Sequence, residues 1–112
     1  MSVDAIWQVR FGVGDTAPSL SYGVIVLQAG KITGGDSSFY YRGEYTSDGD
    51  TLSCRVRVER HTLLLRSVTG FEKATLILDG RVDDSVLKLT GYVDEEPSTG
   101  FAVILERLAD LP

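Results

Sequence analysis

The sequence predicts an all-β protein: an eight-stranded antiparallel, up-and-down β-barrel of lipocalin-like form with at most one short helical turn. Short β-like runs recur along the chain and are separated by Gly, Asp and Pro turn signals. Every connection is short except 61–70, whereas parallel strands need crossovers of about a dozen residues or more. Closure would also remove exposed sheet edges. No shift in composition divides the chain, so residues 1–112 are predicted to form a single domain.

The first half of the chain contains four predicted strands. Their ranges are 5–14, 20–28, 31–33 and 38–46. A loop over 15–19 follows the first strand, and Ala29-Gly30 is predicted to be a two-residue turn because glycine tolerates positive φ. In strand four the residues expected on one face are Phe39, Tyr41, Gly43 and Tyr45.

The second half begins with the clearest alternation in the chain. In strand five Leu52, Cys54, Val56 and Val58 alternate with Ser53, Arg55, Arg57 and Glu59. A period of two predicts one buried face and one solvated face. The remaining strands are predicted over 72–78, 86–94 and 100–106, with Ala74, Leu76, Leu78, Leu87, Leu89, Gly91 and Val93 inward. The connections are predicted to be a turn over 46–50, a loop with one helical turn over 61–70, a turn beginning at Asp79-Gly80, and a loop over 95–99.

The stretch KITGGD, residues 31–36, combines two glycines with a carboxylate. A phosphate loop of the GxxxxGK[ST] type leads from a strand into a helix, whereas here another strand follows. A calcium loop needs several spaced oxygen ligands, and Asp36 stands alone. Gly34, Gly35 and Asp36 are therefore predicted to be a structural turn between strands three and four.

The formal net charge of −5 argues against several classes of partner. A net-acidic domain repels phosphate backbones and anionic membrane surfaces, so we expect neither direct nucleic-acid binding nor membrane binding. The beginning of the sequence has no signal-peptide pattern and the chain has one cysteine, so we expect a cytoplasmic protein. Aromatic residues at period two could stack single-stranded bases beside a basic groove, which we expect this chain to lack. The residues of that row, predicted to pack in the core, are Trp7, Phe11, Phe39, Tyr41 and Tyr45.

The chain is predicted not to be an enzyme, with no cofactor and no metal. His61 is the only histidine and Cys54 the only cysteine. Cys54 falls on the apolar face of strand five, which is typical of a small buried hydrophobic residue. Zinc requires several His or Cys ligands. The neighbouring acids at 83–84 and 94–96 are predicted to be solvated turn residues.

The segment VIVLQAGKITGGDSSFYYRG, residues 24–43, follows the pattern ILxxGxITGGDxxxxYxG. In this it resembles the GrlR family, the negative regulators of type III secretion called global regulator of ler repressor. The stretch DAIWQVRF at 4–11 is similar to the family's opening strand, and TLSCRVRVER at 51–60 also aligns. The resemblance is strongest over residues 4–60, and the second half agrees in its strand rhythm.

The resemblance implies a lipocalin-like barrel that assembles as a homodimer. It also implies a regulator that binds a transcriptional activator and restrains it. The family's acidic EDED turn falls on residues 47–50, where Asp48 and Asp50 keep the acidic character. These two residues are the predicted protein-binding site, although Asp-Gly-Asp is also typical of an ordinary hairpin turn.

A carrier of a small apolar ligand is the alternative function. An eight-stranded barrel is filled by side chains or holds one small ligand. The candidate lining residues are Trp7, Tyr41, Val56, Leu76 and Leu89. A cavity of roughly 300 Å³ or more would favour a carrier.

Overall fold

The structure is a computed structural model that describes residues 3–13, 21–62, 73–83 and 85–112. These residues form a closed barrel in which consecutive strands pair antiparallel and the first strand also pairs with the last. The strands are β1 (Ala5–Val13), β2 (Ser21–Gln28), β3 (Lys31–Gly35), β4 (Phe39–Asp48), β5 (Thr51–Arg60), β6 (Lys73–Asp83), β7 (Val86–Val93) and β8 (Glu96–Ala109). The predicted all-β, eight-stranded antiparallel up-and-down barrel is therefore confirmed.

Side chains alternate between the interior and the solvent along the strands, as the period of two requires. In β5, Leu52 and Cys54 are buried, whereas the intervening Ser53 is exposed. The largest fully buried side chains are Trp7, Phe101, Leu27, Leu52, Leu87, Leu105 and Val93. Phe11 meets the ring of Tyr41 edge-on, with ring centroids 5.8 Å apart, and stacks on another core aromatic ring 6.0 Å away. The aromatic row therefore packs in the core, as predicted.

Two hairpin turns lie at the same end of the barrel, because alternate connections of an up-and-down barrel share an end. Between β2 and β3, Ala29 and Gly30 have φ of 52° and 80°, the pattern of a type I′ turn. Between β4 and β5, Gly49 has φ of 64° and is the first central residue, as in a type II′ turn. The first turn occurs where the sequence predicts it. The second is shorter than the predicted 46–50, because β4 continues to Asp48.

The predicted turn at Gly34, Gly35 and Asp36 is displaced along the chain. Both glycines belong to β3 and pair with β2 and β4, and the turn itself begins at Asp36. Glycine is required at position 34 because a Cβ there would overlap the carbonyl oxygen of Val24 on the neighbouring strand. The two glycines therefore permit close strand approach and do not reverse the chain.

Two further turn predictions are wrong. Asp79-Gly80 does not begin a turn, because β6 continues to Asp83 and Gly80 pairs with Leu52 and Leu89. A Cβ on Gly80 would overlap the carbonyl oxygen of Lys88, so this glycine again serves close approach. The connection between β7 and β8 is also shorter than the predicted 95–99 loop, since β8 already begins at Glu96.

Two predictions fall where the structure gives no description. The loop predicted over 15–19 lies within residues 14–20, outside the described residues. The helical turn expected in 61–70 lies almost wholly in residues 63–72, outside the described residues. Across the described ranges, no helix has the length and apolar character needed to cross a membrane.

Candidate functional site

The acidic turn, residues 48–51, is a firmly held hairpin end. Asp48 pairs with Thr51 across the β4–β5 hairpin, and the Thr51 hydroxyl donates to the Asp48 carbonyl oxygen at 2.7 Å. The carbonyl oxygen of Asp50 accepts the backbone N–H of Val82, on the next strand, at 2.8 Å. Because both strands of the hairpin and the adjacent β6 fix this turn, its side chains project from a defined backbone.

The two carboxylates of the acidic turn differ in their surroundings. Asp50 forms an ion pair with Arg81 at 2.9 Å, and both side chains are largely exposed, at 60% and 74%. The Arg81 hydrogen bond holds the pKa of Asp50 below its usual value. Asp48 is exposed and has no ion-pair partner among the described residues. Asp48 is therefore the carboxylate that is available to a partner without first displacing a cation of this chain.

The five candidate lining residues all point into the barrel. Trp7, Tyr41, Leu76 and Leu89 are buried members of the core, and Val56 is half-buried and packs against it. The indole N–H of Trp7 donates to the carbonyl oxygen of Val3 at 2.9 Å. These side chains pack with one another and with their neighbours, so they form part of the hydrophobic core.

Asp36, the acid of the KITGGD stretch, organises the turn that follows it. One of its carboxylate oxygens accepts the backbone N–H groups of Ser38 and Phe39, each at 2.8 Å. The other oxygen accepts the hydroxyl of Tyr41. Burial, and then the hydrogen bond to Asp36, raise the pKa of Tyr41. The side chain of Asp36 is fully engaged within the chain, as expected for a structural residue.

A second carboxylate–tyrosine pair lies near the opposite end of the barrel. The hydroxyl of Tyr45 donates to Asp4 at 2.5 Å, and the backbone N–H of Ala29 donates to the other Asp4 oxygen at 3.3 Å. Burial, followed by the hydrogen bond to Asp4, raises the pKa of Tyr45 to about 12. The sequence pattern does not predict this pair, and only the inward position of Tyr45 near the end of β4 hints at it.

Cys54 and His61, the only cysteine and the only histidine of the chain, have different surroundings. Cys54 is buried, and burial raises the pKa of its thiol to about 12, so it is a neutral thiol at physiological pH. His61 contacts the Thr62 hydroxyl at 2.7 Å and the Asp36 carbonyl oxygen at 3.0 Å. Among the described residues, no three His, Cys, Asp or Glu side chains are grouped closely enough to hold a metal ion.

The outer face of β3–β6 carries a feature that the sequence analysis did not expect. A groove of about 330 Å³ is lined by Lys31, Arg42, Gly43, Glu44, Arg55, Arg57 and Thr75, and is called the basic groove below. The expectation that the chain lacks a basic groove is therefore wrong. Arg55 and Arg57 signal it, since both lie on the solvated face of β5. Strand register, which brings Arg42 opposite Arg57, could not be inferred from composition.

Comparison with known proteins gives no independent assignment. No protein-family model matches the chain, and no curated protein matches it at a significant level. The functional proposal below therefore draws on the fold, the exposed charged side chains and the residue pattern of 24–43.

Proposed function

We propose that this protein is a non-enzymatic regulator similar to the GrlR family, which binds a protein partner through the acidic turn and restrains it. The partner proposed is a transcriptional activator. The observation that carries the proposal is the exposed Asp48 carboxylate, which projects from a fixed hairpin end and has no ion-pair partner among the described residues. The eight-stranded barrel, which the resemblance implies, also supports it.

The electrostatics suit a basic partner. Activators bind DNA through surfaces rich in Lys and Arg, and such surfaces attract a protein of net charge −5. Contact at the acidic turn would place the barrel over that surface and compete with DNA. A Lys or Arg of the partner gains most from Asp48, because at Asp50 it would have to compete with Arg81.

The fixed backbone of the acidic turn should strengthen such a contact. Holding a binding residue in its bound geometry reduces the conformational entropy lost on association. The hydrogen bonds Thr51 to Asp48 and Val82 to Asp50 provide this order in the free protein. A rigid hairpin end with one free carboxylate and one partnered carboxylate is thus a better contact than a mobile acidic loop.

Partner capture followed by quantitative binding tests the proposal. The purified protein is used to capture proteins from a lysate of its source, and the captured proteins are identified by mass spectrometry. The affinity of the purified partner is then measured by calorimetry with wild type, Asp48→Asn and the matched control Asp83→Asn. Asp83 is an exposed acid at the same end of the barrel, so the control removes the same charge.

The expected result is capture of a DNA-binding activator whose affinity falls about three- to tenfold in Asp48→Asn and is unchanged in Asp83→Asn. Added DNA carrying the activator's site should compete with the barrel. Equal affinities of wild type and Asp48→Asn would remove the acidic turn from the contact. Simultaneous binding of DNA and the barrel to the activator would show that the barrel does not cover the DNA-binding surface.

The assembly state is proposed to be a homodimer, as the resemblance implies. Sedimentation equilibrium over a hundredfold range of concentration measures it directly. A mass near twice the chain mass of 12.2 kDa is expected, and a constant mass equal to that of one chain would contradict the proposal.

A further inference from the structure

The basic groove concentrates cations on a net-acidic protein. Four of the eleven Lys and Arg side chains line it: Lys31, Arg42, Arg55 and Arg57. Its volume of about 330 Å³ is at the lower end of the range for small-molecule sites, roughly 300–1,000 Å³. The polar remainder of the lining is Glu44 and Thr75. Size and charge together suit a small anion.

The strand register places two of these cations directly opposite each other. Arg42 on β4 pairs with Arg57 on β5, and both lie on the outer face. Side chains directly opposite in an antiparallel pair have Cβ atoms about 5 Å apart, where like charges destabilise the sheet. The diagonal neighbours of Arg42 on β5 are Arg55, which adds repulsion, and Glu59, which offsets part of it.

Neighbouring acids neutralise Arg57 but leave Arg42 without an ion pair. The Nε of Arg57 donates to Glu59 at 3.2 Å, and its Nη1 donates to the Thr75 hydroxyl at 3.3 Å and lies 4.0 Å from Glu95. No carboxylate among the described residues lies within ion-pair distance of Arg42. Arg42 therefore has no ion pair within the described part of the chain and lies beside two other guanidinium groups. A bound anion would reduce the electrostatic repulsion among them.

A second like-charge pair on the barrel has a compensating carboxylate of the same chain in contact with it. Arg81 on β6 lies opposite Lys88 on β7. There the Asp50 carboxylate contacts Arg81 at 2.9 Å and supplies the compensating negative charge from within the chain. Among the described residues, Glu59 attracts Arg42 only from beyond ion-pair distance. A bound anion would supply the close negative charge that Asp50 gives to Arg81.

We propose that the basic groove binds a phosphate group, either as free phosphate or on a small hydroxylated phosphate ester. The guanidinium of Arg42 supplies paired N–H donors that match phosphate oxygens. Lys31 adds positive charge, and so does Arg55, whose guanidinium lies 3.9 Å from the Asp94 carboxylate. The carboxylate of Glu44 cannot contact the phosphate favourably, but it accepts a hydrogen bond from a ligand hydroxyl. A polyanion is disfavoured, because the net charge of −5 repels extended phosphate chains.

Titration at constant ionic strength tests the site with two probes, inorganic phosphate and glycerol 3-phosphate, each balanced by chloride. Binding is followed by amide chemical shifts in ¹⁵N-labelled full-length protein. Wild type is compared with Arg42→Gln and with Arg81→Gln, which removes an arginine from the other like-charge pair. The chemical-shift changes of the groove residues should saturate in wild type and in Arg81→Gln. The dissociation constant should be at least fivefold larger in Arg42→Gln than in wild type.

The two sources of phosphate are separated by Glu44→Gln. Tighter binding of glycerol 3-phosphate than of inorganic phosphate, with the difference reduced in Glu44→Gln, supports a hydroxylated ester. Equal binding of the two probes supports free phosphate. Overlay of the unperturbed amide signals shows that each variant is folded. Shift changes that do not saturate in wild type, or equal dissociation constants in wild type and Arg42→Gln, overturn the proposal.

Discussion

At the two ends of the barrel, the half-buried residues Asp36 and Asp4 each accept a tyrosine hydroxyl and at least one backbone N–H with their carboxylates. On the outer surface, Asp48 has no ion-pair partner among the described residues, and Asp50 has one exposed partner, Arg81. The four acids are of one residue type in one small barrel. The hydrogen-bond and ion-pair partners within the chain therefore distinguish a structural aspartate from one that is available for binding.

Among substitutions at neutral pH, Asp36→Ala has the largest expected effect. This change removes the acceptor for two backbone N–H groups and leaves the buried Tyr41 hydroxyl without its partner. Lost hydrogen bonds and an unsatisfied buried hydroxyl should lower the free energy of unfolding by about 3 kcal/mol. Urea denaturation monitored by tryptophan fluorescence measures it, with Asp48→Ala as the matched control. Equal midpoints for the two variants would erase the distinction between the acids.

A separate loss of stability is expected at alkaline pH, where the half-buried Tyr45 hydroxyl and the buried Cys54 thiol ionise. The pKa of Tyr45 is raised from 10.0 to about 12 and that of Cys54 from 9.0 to about 12, so the folded state holds these protons more tightly than the unfolded state. Their stabilising contribution is complete below the unfolded pKa values and is lost as pH rises towards about 12. The free energy of unfolding should therefore fall as the pH is raised from about 9 towards 12.

Urea denaturation at pH 8 to 11 measures this slope. Cys54→Ala should flatten it from about pH 9, and Tyr45→Phe should flatten it from about pH 10, since each removes one titrating group. Tyr92→Phe is the control, because Tyr92 is an exposed tyrosine on the outer face. A slope in Tyr45→Phe and Cys54→Ala that equals the wild-type slope would show that these two groups do not hold their protons more tightly in the folded state.

The smallest effect is expected at Asp50. Replacing it with Asn breaks the ion pair with Arg81, but both side chains are largely exposed and solvent screens their interaction. The urea midpoint should not change measurably at 0.15 M salt. Partner binding should fall less than in Asp48→Asn, because the wild-type Asp50 is already paired. A larger loss in Asp50→Asn than in Asp48→Asn would reverse the assignment of the two carboxylates.

Much of the fold follows from short-range pattern. Alternation assigns the buried face of β5, and Ala29-Gly30 fixes a hairpin with positive φ at both positions. The failure at Gly80 has a physical reason. Glycine permits a turn and also permits a neighbouring backbone to come close, and only the register of β6 against β7 distinguishes these uses.

The charged features were less accessible to sequence reasoning. Asp48 and Asp50 lie within one short turn, and the resemblance to the GrlR family is what selected them. The contact between Asp4 and Tyr45 joins positions 41 residues apart, and the pairing of Arg42 with Arg57 depends on strand register. The net charge also led to the wrong prediction that the chain has no basic groove, since a total of −5 conceals a local excess of cations.

The pairing of β1 with β8 has a consequence for how the chain folds during synthesis. Ile6 lies opposite Ala109, so the first strand must wait for nearly the whole described chain before it meets its second partner. Until then the growing sheet has two open edges, at β1 and at the strand most recently made. Pairing between residues so distant in sequence slows folding. Completion of the barrel therefore waits until β8 has been made, and the unclosed chain is the form most exposed to edge-to-edge aggregation.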